Sequence, residues 1–534
     1  MIRDDLAAAV RDALEALAVD PLPEQVQLER PANREHGDWS TNVALASAKR
    51  AGRNPRELAQ QLVDHLSAAS VPHVEGVELA GPGFVNFRLA PTWLHAVLAE
   101  VVSEGVEGYA TPDLGAGERV NVEFVSANPT GPVHAGHARG AAHGDSLARL
   151  LERTGHRVAR EFYINDRGVQ MERFGESLAA RKAGEEPPED GYLGQYVADW
   201  ASEMPDGVDP VAWGEERAID DQKEVLASFG VAFDRWFSEL TLVDSGAILD
   251  TLTALRERGV AFDADGATWL RSTDFGDDKD RVLVKSDGEY TYLLPDIAYH
   301  RNKFDRSDRL INVWGADHHG YIVRMKAAMA SLGHDADKLE IEITQLVDLL
   351  KDGEPVKLSK RAGNVVELRD VIDEVGADAA RLTYLLQSID SRQTIDLAEV
   401  ASQGMDNPVF YVQMAHARIH GIARRAAEAG VVRGPLADAD LSLLTHEREL
   451  EVLRSLSELP EVVAVAARDR APHRITSWVR ELAGAFHGFY HDCYVVADGV
   501  APDLADARLQ LVEAARVGLS IGLDLLGVSA PESL

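Results

Sequence analysis

The chain has a single cysteine, Cys493, so it can form no intrachain disulfide and no multi-cysteine metal site, which suits a reducing compartment. A buried bystander thiol is the plain reading of Cys493 itself. No run approaches the ~18 uninterrupted apolar residues that a membrane-spanning helix needs. The opening stretch, MIRDDLAAAVRDALEAL, carries acids where a secretory signal would carry bases ahead of an apolar segment. Together these absences lead to the expectation of a cytoplasmic protein with no membrane partner. Basic residues are also scarce: 54 Lys and Arg stand against 88 Asp and Glu, a net charge of −34. Taken alone, that excess argues against a nucleic-acid partner, whose binding surface is ordinarily basic. Low-complexity tracts and repeats of fixed period are missing as well, which argues against disordered arrays and solenoids.

What is present is material for several ordinary cores. At 534 residues, with 45% hydrophobic residues spread along its length, the chain exceeds the ~250–300 residues at which one core stops growing. Residues 1–115 open with an amphipathic helix (Ile2, Leu6, Val10, Leu14, Leu17) and close with GPGFVNFRLA, a strand after a glycine turn. This predicts a small α+β domain. TPDLGAGER, at 111–119, makes a linker. From 116 to 400 the pattern turns to strand, loop and helix: VNVEFVS, then ANPTGPVHAG, then a helix ended by Gly155, then HRVAREFYIND. That is one βαβ unit of a doubly wound α/β fold, whose ligands sit at the carboxyl ends of the strands. The acidic stretch of about 172–285 lacks the repeat and is expected to be an insertion, after which RLINVWGAD supplies another strand. Residues 401–534 carry long helical periodicities and predict an all-helical domain.

Two clusters carry chemistry. His134-Ala135-Gly136-His137 falls where the first strand's loop enters its helix, so backbone N–H groups and the positive end of the helix dipole face any bound phosphate. Two imidazoles three apart can donate to phosphoryl oxygens, and Gly136 lets the backbone approach a nucleotide. The competing reading is a pair of capping or surface histidines. Some 220 residues later, Lys357-Leu358-Ser359-Lys360-Arg361 offers mobile positive charge for a triphosphate, or else a solvated basic turn. Two acid-free basic runs offset the global charge: Lys49, Arg50, Arg53 and Arg56 within 45–56, and Arg418, Arg424 and Arg425 within 412–425. Each is equally readable as a solvated helix face.

HxGH at a strand-to-helix junction followed in the second half by KLSKR resembles the two signatures of class I aminoacyl-tRNA synthetases. The resemblance narrows with VEFVSANPTGPVHAGHARG, REFYINDRG, YTYLLPDIAYH and NVWGADHHGY, which are similar to the arginyl-tRNA synthetase family throughout the catalytic domain. HGDWSTNVALA and GPGFVNFRL resemble that family's N-terminal domain, and NPVFYVQMAHARI, FHGFYHDCYV and GLDLLGVSAPESL its anticodon-binding domain.

The resemblance implies an enzyme that activates L-arginine with ATP and Mg2+, then esterifies it to the 3′-terminal adenosine of tRNA(Arg), releasing AMP and pyrophosphate; bound tRNA is typically needed even for activation. It implies that His134, Gly136, His137, Lys357, Ser359, Lys360 and Arg361 serve catalysis, and that Asp317 joins the ATP site. Glu123, Ser126 and Asn128 would hold the backbone end of arginine, Tyr292 and Asp296 its guanidinium, and His318 would border it. Carboxylates suit a permanently charged, forked guanidinium. For tRNA, Lys49, Arg50, Arg53 and Arg56 would meet the outer corner of the L, and Tyr411, His416 and Arg418 the anticodon bases. No dedicated protein metal site, no editing domain and a monomer are expected. Some members carry a lysine just before the histidine motif, where this chain has Gly131-Pro132, and the closing PESL departs from the family's usual ending. Another class I synthetase, a small nucleotidyltransferase and an inactive tRNA-binding paralogue are the alternatives.

Overall fold

The computed structural model describes residues 2–31, 33–356, 366–402 and 404–534. Lys357, Ser359, Lys360 and Arg361 lie outside the described residues. The chain divides into two compact units, one of residues 1–105, 422–457 and 488–515, the other of 106–421, 458–487 and 516–534.

In the first unit the hairpin strands Val74–Ala80 and Phe84–Leu89 flank the turn Gly81-Pro82-Gly83, and Trp39–Thr41 completes an antiparallel sheet with Phe84–Leu89 at its centre. The helix Pro55–Ala68 starts at Asn54, whose side chain accepts from the Arg56 and Glu57 amides, with proline in the first turn where no amide is missed. Its stripe of Leu58, Leu62 and Leu66 is buried, as is the predicted stripe of Leu6, Val10 and Leu14 on the helix Ile2–Ala16.

The second unit is built on a five-stranded, wholly parallel sheet. Its spatial order is Leu339–Thr344, Arg309–Gly315, Arg119–Glu123, Arg157–Ile164, Arg235–Ser238. In chain order that is 5-4-1-2-3, so the direction of winding reverses between Arg119–Glu123 and Arg309–Gly315, and the crevice beyond their carboxyl ends is where such a fold binds ligands. The strand residues Val120, Val122, Leu310 and Ile311 are fully buried, as expected of a sheet covered on both faces. The predicted βαβ unit is present as Arg119–Glu123, the helix Ala138–Arg153 and Arg157–Ile164. Of the stretch 172–285, expected to be an insertion, residues 235–238 form the fifth strand of this sheet; at four residues it is too short to show a period in an acidic surround. The remainder holds the helices Gln195–Glu203 and Pro210–Ser228 and a small antiparallel sheet of Ala261–Ala264, Ala267–Leu270 and Arg281–Val284.

Beyond residue 401 the described secondary structure is helical, dominated by Pro408–Glu428, Glu447–Arg468, His473–Asp492 and Pro502–Leu526. No described helix is long and apolar enough to cross a membrane. Cys493 is buried, and burial together with the nearby Glu449 pushes its thiol up to about 11, so it stays protonated.

Candidate active site

His134 does not begin the helix as a helical residue. It is extended, and its Nδ1 accepts from the Gly136 amide at 3.1 Å, capping a single 3-10 turn that leads into Ala138–Arg153. That turn brings the two imidazoles together, with ring centroids 3.8 Å apart. Gly136 is required by close approach: a Cβ there would meet His134 Nδ1 at 2.8 Å. The motif is also tied to the chain beyond the second signature, because Ala135 N donates to Val366 O at 2.9 Å and Leu368 N to Val133 O at 2.8 Å. Val366 is the first described residue after the segment carrying KLSKR.

The loop before the motif is held by the intervening helices. Gln222 Nε2 donates to the carbonyls of Asn128 and Gly131, each at 3.0 Å, and the Tyr196 hydroxyl donates to Thr130 O at 2.8 Å. A Cβ at Gly131 would lie 2.8 Å from that hydroxyl, which accounts for the glycine. Val125 and Ser126 are both left-handed, with φ of 69° and 43°, so the chain turns sharply at the end of its strand. Such backbone strain is concentrated at ligand sites.

That turn aims two polar groups. Glu123, at the strand's end, is buried; its Oε1 accepts from Ser126 Oγ at 3.0 Å and its Oε2 from Lys303 Nζ at 2.7 Å. Burial alone would push the Glu123 carboxyl up, but the Lys303 charge and the two hydrogen bonds outweigh it and hold the group below its ordinary value. Asn128 is exposed and donates to Gln170 Oε1 at 2.6 Å. One strand over, Asn312 sits in register with Glu123. The 3-10 turn after that strand carries Asp317 and His318, exposed and 3.6 Å apart. The sheet therefore gathers His134, His137, Glu123, Asp317 and His318 at adjacent carboxyl ends.

The helix Leu293–Arg306 forms the site's other wall. Asp296, Tyr299, His300, Lys303 and Arg306 recur at helical spacing on the face turned to the sheet. Lys303, fully buried, also donates to Asn312 Oδ1 at 2.6 Å. Arg306 makes a two-pronged contact with Glu161, at 2.8 and 3.0 Å, and Tyr299 donates to the same carboxylate at 2.8 Å. Asp296 accepts from the Tyr321 hydroxyl at 2.7 Å and forms no ion pair among the described residues. Burial, with Glu239 and Glu123 nearby, pushes its carboxyl up to about 7. Tyr292, expected to act beside Asp296, is 90% exposed at the start of the helix. The structure does not bring the two side chains together; Tyr321 is the phenol at Asp296.

Three residues here are not singled out by the sequence: Tyr163 and Tyr321, although they lie inside REFYINDRG and NVWGADHHGY, and Glu239. Glu239 follows the short strand Arg235–Ser238 and pairs with Arg167 at 3.3 Å. Tyr163 bonds Glu239 and is held far above its ordinary value by burial and by the carboxylates around it, so it remains a donor. Tyr321 completes the set. The signal, where there was one, was chemical: acids and phenols that lie close together.

The residues expected to contact tRNA are dispersed. Lys49 and Arg50 are exposed; Arg53 donates to Leu17 O at 2.8 Å and Arg56 to Gly81 O at 2.6 Å, so these two guanidiniums brace their own domain. His416 is buried, with Nδ1 2.8 Å from Pro531 O, and packs its helix rather than facing a base. Tyr411 and Arg418 are half-buried about His487, the ring at 4.6 Å and the guanidinium at 2.9 Å.

A parallel sheet with this winding and a histidine pair at its switch point define a class I aminoacyl-tRNA synthetase fold. The class I (R) tRNA synthetase catalytic-domain model matches residues 98–185 and 231–420. A Mycobacterium tuberculosis methionyl-tRNA synthetase in complex with methionyl-adenylate has the same fold at 14% identity and a TM-score of 0.57, over 76% of this chain and 91% of that one. More particularly, the arginyl tRNA synthetase N-terminal domain model matches 4–89 and the DALR anticodon binding domain model 412–534. The arginine–tRNA ligase of Bacillus subtilis (strain 168) is 44% identical over the whole of this chain and 98% of its own length. A Thermus thermophilus arginyl-tRNA synthetase structure superposes with a TM-score of 0.77 at 23% identity, all of both chains being covered. The chain belongs to the arginyl-tRNA synthetase family.

Proposed function

We propose that the chain ligates L-arginine to tRNA(Arg) and that the pocket between Glu123 and Asp296 is where arginine binds. The observation that carries the amino-acid assignment is Asp296, a half-buried residue whose carboxyl forms no ion pair among the described residues and is flanked by Glu239 and two phenols. An arriving guanidinium supplies the missing charge and donors in a fork. Lysine or a neutral amino acid would leave those acceptors unpaired, which gives discrimination without an editing step. Glu123, Ser126 and Asn128 take the α-amino end, and Tyr292, exposed at the start of the helix that carries Asp296, covers the side chain in this scheme.

In the first step an arginine carboxylate oxygen attacks the α-phosphorus of ATP, the bond to the β-phosphate oxygen breaks, and pyrophosphate departs. Charge on the phosphoryl oxygens is met by His134 and His137, with Gly136 allowing approach and Asp317 and His318 bordering the ribose. Lys357, Ser359, Lys360 and Arg361 act on the departing pyrophosphate in this scheme. ATP brings its own Mg2+. In the second step the 2′-hydroxyl of the terminal adenosine attacks the arginyl carbonyl carbon and AMP leaves. Neither step needs a protein nucleophile, so catalysis is positioning and electrostatic stabilisation. Lys49 and Arg50 meet the tRNA's outer corner, with Arg53 and Arg56 bracing the domain that carries them, and Tyr411 and Arg418 lie toward the anticodon; the protein works as a cytoplasmic monomer with no membrane partner. The test is pyrophosphate exchange into ATP, expected only with arginine and cognate tRNA together. Exchange indifferent to either would sink the assignment.

A further inference from the structure

Glu123 is a buried carboxylate whose chief counter-charge is one buried ammonium, and that ammonium belongs to a longer chain of contacts. Lys303 Nζ donates to Glu123 and to Asn312 Oδ1, which fixes the Asn312 amide with its nitrogen toward His300 Nε2 at 2.7 Å. An amide nitrogen only donates, so His300 Nε2 accepts, and the ring proton lies on Nδ1. That nitrogen is 2.8 Å from Asp296 O, one turn back on the same helix. Burial and the Lys303 charge pull the His300 imidazole down to about 4, so it stays neutral in this role.

We propose that Lys303 is a positioning residue for arginine recognition: its ammonium holds the Glu123 carboxylate and, through Asn312 and His300, ties it to the helical turn that presents Asp296. The proposal rests on the reading that Glu123 and Asp296 bind arginine. It makes the two ends of the pocket one unit, spaced by a row of contacts rather than by two independent side chains. The groups facing Glu123 are Lys303, His300, Tyr299 and Asp296 from the helix, Asn312 and Glu161 from the neighbouring strands, and Ser126 and Tyr163 from the strand ends. Glu161 is matched by Arg306, so the charge left for Lys303 to balance is that of Glu123.

Lys303→Gln tests this, since the amide can donate to Glu123 and Asn312 but carries no charge. Below neutrality the free wild-type enzyme should lose kcat/KM for arginine with a logarithmic slope of about one, from Asp296, and the variant with a slope of about two, as Glu123 also takes a proton. The KM for ATP should hold, and Lys303→Arg should restore the single slope. A variant profile superimposable on the wild type, or KM values for arginine and ATP rising together, would overturn the proposal. If Glu123→Gln left the KM for arginine unchanged, the reading of the pocket would fail instead. Should Lys303→Gln not fold, ring 15N resonances of wild-type His300, assigned with His300→Gln, decide it. A neutral Nδ1–H tautomer between pH 8 and pH ~5.5 that shifts on adding arginine is expected; protonation in that range, or no response to arginine, overturns it.

Discussion

Asp296 concentrates the electrostatics of the site in a single residue. Its carboxyl is pushed up to about 7, out of the usual acid range, by desolvation and by Glu239 and Glu123, against a single hydrogen bond from Tyr321. A carboxyl whose folded pKa is raised contributes stability that is full below the unfolded pKa and is lost as pH rises through about 7. Bound guanidinium reverses this by stabilising the ionised form. The rise in melting temperature given by saturating arginine should therefore be larger at pH 8 than at pH 6, and should release a proton near neutrality, detectable by titration calorimetry in buffers of different ionisation enthalpy. A rise that shrinks with pH would mean that Asp296 does not face the ligand. Asp296→Asn should abolish the difference.

At the scale of elements, the helix Ala138–Arg153 is packed against the end of its strand with no room to spare. A Cβ on Gly144 would fall 2.2 Å from Cγ of Phe124, the residue after Glu123. Gly144→Ala should lower stability by ~1–3 kcal/mol through overpacking and raise the KM for arginine as Phe124 shifts, both measurable on one purified variant by thermal unfolding and pyrophosphate exchange. This strand, loop and helix were legible in the sequence because each has a distinct period and the loop a distinct composition. The strand Arg235–Ser238 was not, since four residues in an acidic stretch show no alternation. The inward face of Leu293–Arg306 was half legible. Asp296 stood out through the family motif, whereas His300, Lys303 and Arg306 look like a solvated face until Glu123 and Glu161 are placed opposite them. Tyr292 and His416 show the converse: a motif names a residue, but exposure and packing are decided by tertiary neighbours that one sequence does not display.

Across the whole molecule, a net charge of −34 requires that any tRNA contact be confined to a few basic groups on a surface that otherwise repels it. Lys49 and Arg50 are exposed, while Arg53 and Arg56 are bonded to backbone carbonyls. Replacing Lys49 and Arg50 by alanine should weaken tRNA binding and lower the slope of log affinity against log salt by about one for each phosphate no longer neutralised. Replacing Arg53 should act chiefly on the stability of its domain. Filter binding over a salt series separates the two outcomes, and an unchanged slope for the first pair would remove them from the interface. The winding of the parallel sheet also sets an order of events. Glu123 and Lys303 are 180 positions apart, yet each is buried against the other. While a ribosome has made only the first half of the chain, that carboxylate lacks the Lys303 ammonium and the strand bearing it has a neighbour on one side only. Arginine can then be recognised only after the late-synthesised half has docked, so the newborn enzyme stays blind to its amino acid until its catalytic sheet is whole.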